Sequence, residues 1–188
     1  QPPFFDVDTD DAVNYGAIGA VIGHEIGHGF DDQGSRYDGA GNLRDWWTAE
    51  DRSAFDALAA KLIAQFDALT IAAAADRTVN GALTVGENIG DLAGLGVGLA
   101  AYRIACGDAP APVLDGLTGE QRFFVGWAQA WMGAARPETA AMLLAVDPHA
   151  PQECRANTVR NLDAFHAAFG VIEGDGMWLA PAERVSIF

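Results

Sequence analysis

The sequence predicts a mainly α-helical chain with a few short strands, folded as one lobe in which a histidine-bearing helix packs against a second helix carrying a distant glutamate. Three observations predict it. Apolar residues recur at helical spacing, as in the stripe Phe55, Leu58, Leu62, Phe66 and Leu69. Residues 12–20, which lead into His24, are small and apolar on every side, as in a helix packed all round. The segment after Glu87 contains Gly90, Gly94, Gly96 and Gly98, which cost helix propensity but let a neighbouring backbone come close.

Taken in order, Asp8, Thr9 and Asp10 offer caps for a first helix that runs to about Phe30, where Gly29, Asp31 and Gly34 break it. A loop with Gly39, Gly41 and Asn42 follows. Thr48 is the N-cap of the next helix, and Glu50 and Asp51 then favour the positive end of its dipole. Asn80-Gly81, between Thr78-Val79 and Leu83-Thr84-Val85, reads as a short hairpin turn that delivers the chain to Glu87. Residues 107–119, with Pro110 and Pro112, form a surface connection. Thr118 and Gln121 make a capping box for a helix whose Phe123, Phe124, Trp127 and Trp131 face the core, and Pro137 starts a further helix at its first turn.

The chemistry is concentrated in His24-Glu25-Ile26-Gly27-His28. Residues four apart lie on one helix face, so His24 and His28 can aim a ring nitrogen each at one metal ion. Glu25, about 100° around the helix from His24, is poorly placed as a ligand but well placed to take a proton from a water at an open zinc position. Buried histidines satisfied by hydrogen bonds are the bland alternative; two at this spacing with Glu in second place on an apolar helix disfavour it. The three-histidine extension of the motif fails, because Gly34 stands where the third His belongs. Glu50 belongs to a helix start. Glu87 is the better third ligand, and Asp91, four residues on, shares its face and is placed to support a metal-bound imidazole.

These segments resemble the C-terminal catalytic part of the neprilysin and endothelin-converting enzyme family of zinc metallopeptidases. The resemblance is carried by QPPFF at 1–5, VNYGAIGAVIGHEIGHGFDDQG at 13–34, VNGALTVGENIGDLAGL at 79–95, QRFFVGWAQAW at 121–131, RPE at 136–138, HAPQECR at 149–155 and MWLAPAERVSIF at 177–188. It implies a zincin-like catalytic lobe binding one Zn2+ through His24, His28 and Glu87, with Glu25 as general base. It implies that Asp31 and Asp91 hydrogen-bond the two zinc-bound imidazoles, that His149 stabilises the charged tetrahedral intermediate, and that Arg155 grips a substrate carbonyl. Phe4, Val21 and Trp131 match positions lining the pocket for the side chain after the scissile bond. The expected activity is endopeptidase cleavage of oligopeptides. A zinc-stabilised peptide-binding protein without hydrolysis is the competing expectation, as is a fragment inactive without its upstream half. An aminopeptidase would need an acidic anchor for the substrate amine, and no such element is evident.

The 188 residues, half of them apolar, suffice for a single core. The chain has no initiator Met, no signal segment and no stretch read as membrane-spanning, so residues 1–188 are expected to be a fragment of a longer polypeptide whose upstream part, a partner here, holds a substrate-anchoring strand and a helical lid. An extracytoplasmic location follows from the resemblance alone. The net charge of −15, with 11 Lys and Arg, argues against nucleic acid as a partner and fits an acidic enzyme; peptide substrates are what the family resemblance implies. Cys106 and Cys154 are compatible with one disulfide or with buried thiols. His166 reads as structural.

Overall fold

In the computed structural model, which describes residues 1–108 and 111–187, the helical run through the histidine motif is unbroken but not uniform. It comprises α1 (Asp11–Asn14), a π-helical stretch (Tyr15–Gly19), α2 (Ala20–Gly27) and a closing 3-10 turn (His28–Phe30). Within the wide turn the N–H of Ile18 donates to the Phe4 carbonyl at 3.0 Å, which fastens the first residues against the motif helix. The run stops where Asp31 turns extended, as the sequence predicts. The expected capping is corrected. Asp10 occupies the N-cap position without a side-chain cap bond, because its carboxylate accepts the Arg122 Nε–H at 2.7 Å. A buried guanidinium needs that counter-charge more than a solvated helix end needs a cap.

Thr48 caps α3 (Ala49–Asp67) by accepting the Asp51 N–H at 3.1 Å. Phe55, Leu62 and Phe66 are buried as the stripe requires, with Leu58 half-buried and Leu69 just past the helix end. The hairpin expected at Asn80-Gly81 is not formed. Asn80 is the N-cap of α4 (Gly81–Cys106), its Oδ1 accepting the Leu83 N–H at 3.0 Å, so helix begins where the turn was expected. A side-chain oxygen able to satisfy an orphan amide suits a helix start as well as a turn, and the helix wins because it buries Val85 and Ile89, one turn apart on one face. Strand pairing among the described residues is limited to the isolated bridges Tyr37–Leu43, Thr70–Thr78 and Leu114–Leu117.

By length and composition α4 could cross a bilayer, which corrects the expectation that no stretch was long and apolar enough. Half of its apolar window is buried within the fold, however, and Asp91 on it is fully buried. Its first half packs on α3 around Leu62, Phe66 and Ile89. Its second half packs on the π-helical stretch and joins α5 (Gly119–Ala130) and α8 (Asp163–Phe169) in an apolar cluster of Leu95, Leu99, Phe123, Trp127 and Phe165. The capping box at Thr118 and Gln121 is formed in both directions, and Pro137 opens α6 (Pro137–Val146). Phe123, Phe124 and Trp127 are buried and Trp131 is half-buried. In the connection at 107–119, residues 109 and 110, and with them Pro110, lie outside the described residues, while Pro112, Val113 and Leu114 are exposed as expected. Both cysteines are free thiols, and burial, with a smaller push from Glu153, drives the Cys154 thiol up to about 12, so it is inert at neutral pH. His166 is structural: Nε2 donates to the Arg160 carbonyl at 2.8 Å.

The contact that positions the site is α2 against α4. A Cβ on Gly94 would overlap the Ala20 carbonyl oxygen and lie 2.8 Å from the His24 backbone nitrogen, so this crossing has room only for hydrogen. Gly94→Ala is therefore expected to lower the unfolding free energy by about 1–3 kcal/mol through overpacking, read from equilibrium urea unfolding. An unchanged midpoint would contradict the close approach.

Candidate metal centre

The crossing of α2 and α4 sets two imidazoles against two carboxylates. His24 and His28 come from α2 and the turn that ends it; Glu87 and Asp91 come from one face of α4, a helical turn apart. The His24 ring lies against Gly90, where a Cβ would stand 2.8 Å from its Nδ1 and Cε1. His24 Nε2 is 3.1 Å from Glu87 Oε2 and His28 Nε2 is 3.7 Å from the same oxygen. The ligand atoms of His24, His28 and Glu87 all fall within 4.8 Å of one another. Donors about 2.0–2.1 Å from a tetrahedral zinc stand roughly 3.3 Å apart, so the three are spaced for one small cation.

The far nitrogens fit the same reading. His24 Nδ1 donates to Asp91 Oδ1 at 2.9 Å, and His28 Nδ1 to Asp31 Oδ2 at 2.7 Å. Each bond fixes a tautomer with Nε2 turned toward Glu87, as a metal-binding imidazole requires. Asp31 is itself held: its Oδ1 accepts the backbone N–H groups of Gln33 and Gly34 at 2.8 and 2.6 Å. Burial pushes the His24 pKa down, but hydrogen bonds to Asp91 and Glu87 outweigh it and raise it to about 9. Burial pushes Glu87 up, yet the His24 hydrogen bond and the charges of His149 and His28 hold it below the ordinary carboxylate value. Without a cation, a proton on His24 offsets part of the carboxylate charge around it.

A family model described as Peptidase family M13 matches residues 1–185. The chain belongs to that family. It is 45% identical over 183 residues to neprilysin-1 of Caenorhabditis elegans, covering 94% of this chain and 24% of that protein. To human membrane metallo-endopeptidase-like 1 it is 40% identical over its whole length, again 24% of the relative. Among solved structures, the Mycobacterium tuberculosis zinc metalloprotease ZMP1 in complex with an inhibitor superposes with a TM-score of 0.96 at 56% identity, over 99% of this chain and 29% of that one. The M13 chain thus spans about a quarter of the length of the curated relatives it matches.

The remaining expected residues are placed as follows. Glu25 is exposed, with no ion pair or hydrogen bond among the described residues. His149, exposed and rising from the loop after α6, brings Nε2 to 3.1 Å from Glu87 Oε2. Arg155, in α7 (Gln152–Ala156), is buried and donates from Nε and Nη2 to Asp91 at 2.9 and 2.7 Å. Phe4 meets Trp131 edge to face with centroids 5.7 Å apart, and Val21 is half-buried on α2. Glu50 stays exposed in the first turn of α3, away from the cluster. Two contributors went unread in the sequence. Asp147 Oδ1 accepts both the backbone N–H and the Nδ1–H of His149, each at 2.9 Å, and the backbone bond holds its pKa below the ordinary value. The signal was Asp-Pro-His, an acidic oxygen two residues before the amide it captures. The indole N–H of Trp127 donates to the Arg155 carbonyl at 3.1 Å, a contact between distant segments that no local pattern announces.

A raised His24 pKa fixes the sign of a pH dependence. Its contribution to the stability of the metal-free protein is full below about 6.5 and is lost as pH climbs through about 9. Zinc must displace that proton, so apparent zinc affinity is expected to strengthen across the same window, with proton release seen by calorimetry in buffers of different ionisation enthalpy. Affinity that stays flat from pH 6.5 to 9 would count against the hydrogen-bonded imidazolium.

Proposed function

We propose that this chain is the catalytic lobe of a zinc-dependent endopeptidase that hydrolyses peptide bonds of oligopeptides. The observation that carries the reading is the convergence of His24 Nε2, His28 Nε2 and a Glu87 oxygen, with both Nδ1 atoms committed to buried carboxylates. Two imidazoles and one carboxylate are a donor set suited to zinc with a coordination position left open. When bound there, zinc supplies a Lewis acid that polarises the scissile carbonyl and makes water acidic enough to attack at neutral pH.

The chain's own groups do the rest. Glu25, exposed beside His24 and unpaired among the described residues, accepts a proton from the attacking water and returns one to the leaving amine. His149 offers a donor for the oxygen on which negative charge develops, and Asp147, bonded to both its backbone N–H and its ring Nδ1, holds the residue so that little reorganisation is needed. Arg155 spends Nε and Nη2 on Asp91, which leaves Nη1, without a hydrogen bond among the described residues, as the donor for a substrate carbonyl. Phe4, Val21 and Trp131 shape an apolar wall for the side chain beyond the scissile bond.

Residues 1–188 serve in this reading as one lobe of a longer polypeptide whose upstream part completes the substrate cleft. The quarter-length coverage of the relatives supports that, and the family resemblance supports an extracytoplasmic location.

Glu25→Gln is expected to cut kcat by at least about 100-fold, the scale of a lost general base, while zinc measured by mass spectrometry stays near one per chain. Glu87→Ala is expected to lose the metal itself. Retention of full, chelator-sensitive turnover of a quenched fluorescent peptide by Glu25→Gln would sink the mechanism. His149→Ala should lower kcat by about 100–1,000-fold with little change in KM, the signature of a donor used mainly in the transition state; an effect confined to KM would reassign it to substrate binding.

A further inference from the structure

Arg155 is gripped by α5 from two directions. Its carbonyl accepts the Trp127 indole N–H at 3.1 Å, and its guanidinium lies over the Trp131 ring with Cζ 3.8 Å from the centroid. Trp127 and Trp131 are one helical turn apart at the end of α5, their rings packed edge to face at 5.3 Å, and Phe4 braces Trp131 from another side. The edge of the guanidinium goes to Asp91, and the Asp91 oxygen that accepts Nη2 is Oδ1, the same atom that accepts His24 Nδ1.

We infer that Trp131 is a positioning residue whose ring is the platform that aims Arg155 at Asp91 and so fixes the His24 imidazole, making the pocket wall and the metal ligand one connected unit. A guanidinium presents two faces and an edge. Here the edge is committed to Asp91, and a flat aromatic surface covers one face where water would otherwise let the group turn about its long stem. Asp91 is fully buried, so when Arg155 wanders it keeps only the His24 N–H as a partner. The inference rests on the peptidase reading for its kinetic consequence, while its effect on metal affinity is independent of turnover.

The test uses the full polypeptide that contains this chain, with Trp131→Leu, Trp131→Phe, Arg155→Met and the double variants. The first readout is zinc affinity by competition with a chromophoric chelator. Trp131→Leu is expected to weaken zinc binding about tenfold, the scale for loss of an outer-sphere support. Trp131→Phe, which keeps a ring, should stay within about threefold. In the Arg155→Met background, Trp131→Leu should add less than about twofold, since the group it holds is gone. The second readout is kcat/KM on paired peptides with Gly or Phe after the scissile bond. A platform lowers both by the same factor, whereas a mere pocket wall penalises the Phe peptide alone.

Unchanged zinc affinity in Trp131→Leu, or a full additive loss on top of Arg155→Met, overturns the inference. Should Trp131→Leu not fold, Trp131→Phe decides: Arg155→Met must cost the same fold-change there as beside Trp131, and a cost below twofold overturns it. A wild-type protein that binds zinc but shows no chelator-sensitive turnover would remove the peptidase reading and leave the affinity arm to judge the platform.

Discussion

A carboxylate with no access to water must be neutralised by what surrounds it, and Asp91 meets that demand from two sides. Its oxygens take two guanidinium donors of Arg155 and the Nδ1–H of His24, so one buried anion ties α2, α4 and α7 together. Removing either partner would strand charge in the interior, which is far costlier than losing a surface ion pair. The orientation of His24 is therefore set by the solvation needs of its neighbour as much as by its own backbone.

The same helix pair explains why the donors converge without a long loop to carry them. Glu87, Gly90, Asp91 and Gly94 recur at helical spacing along one side of α4, and the glycines let α2 come close enough for its imidazoles to reach the acids between them. A stripe that alternates acid and glycine is a poor helix by propensity. It survives because the rest of the helix surface buries Ile89, Leu92 and Leu95 in two apolar clusters, so local preference is traded against tertiary packing.

The protonation pattern follows. His24 sits between Asp91 and Glu87, a carboxylate at each ring nitrogen, and an imidazolium is the metal-free answer to that arrangement. A zinc ion held by His24, His28 and Glu87 would take the place of the Nε2 proton, while the Nδ1 bond to Asp91 would go on orienting the His24 ring. His149 answers to the same Glu87 oxygen from a loop held by Asp147, which keeps an exposed ring near the centre.

Much of this was legible in the chain itself. Two histidines four apart on an apolar helix, a Glu-x-x-x-Asp pair on a glycine-rich helix, and the caps at Thr48 and Thr118 are local patterns whose chemistry does not depend on the rest of the fold. Where sequence reading went astray, a local signal had two uses and a distant partner chose between them: Asn80 capped a helix instead of turning a hairpin, and Asp10 went to Arg122 instead of its own helix. What only the tertiary structure decided is which groups share an atom. Asp91 Oδ1 serves both His24 and Arg155, and Trp131 lies under a guanidinium 24 positions along the chain, because such contacts depend on the angle and depth at which helices cross, and the spacing of residues within one helix carries no information about that.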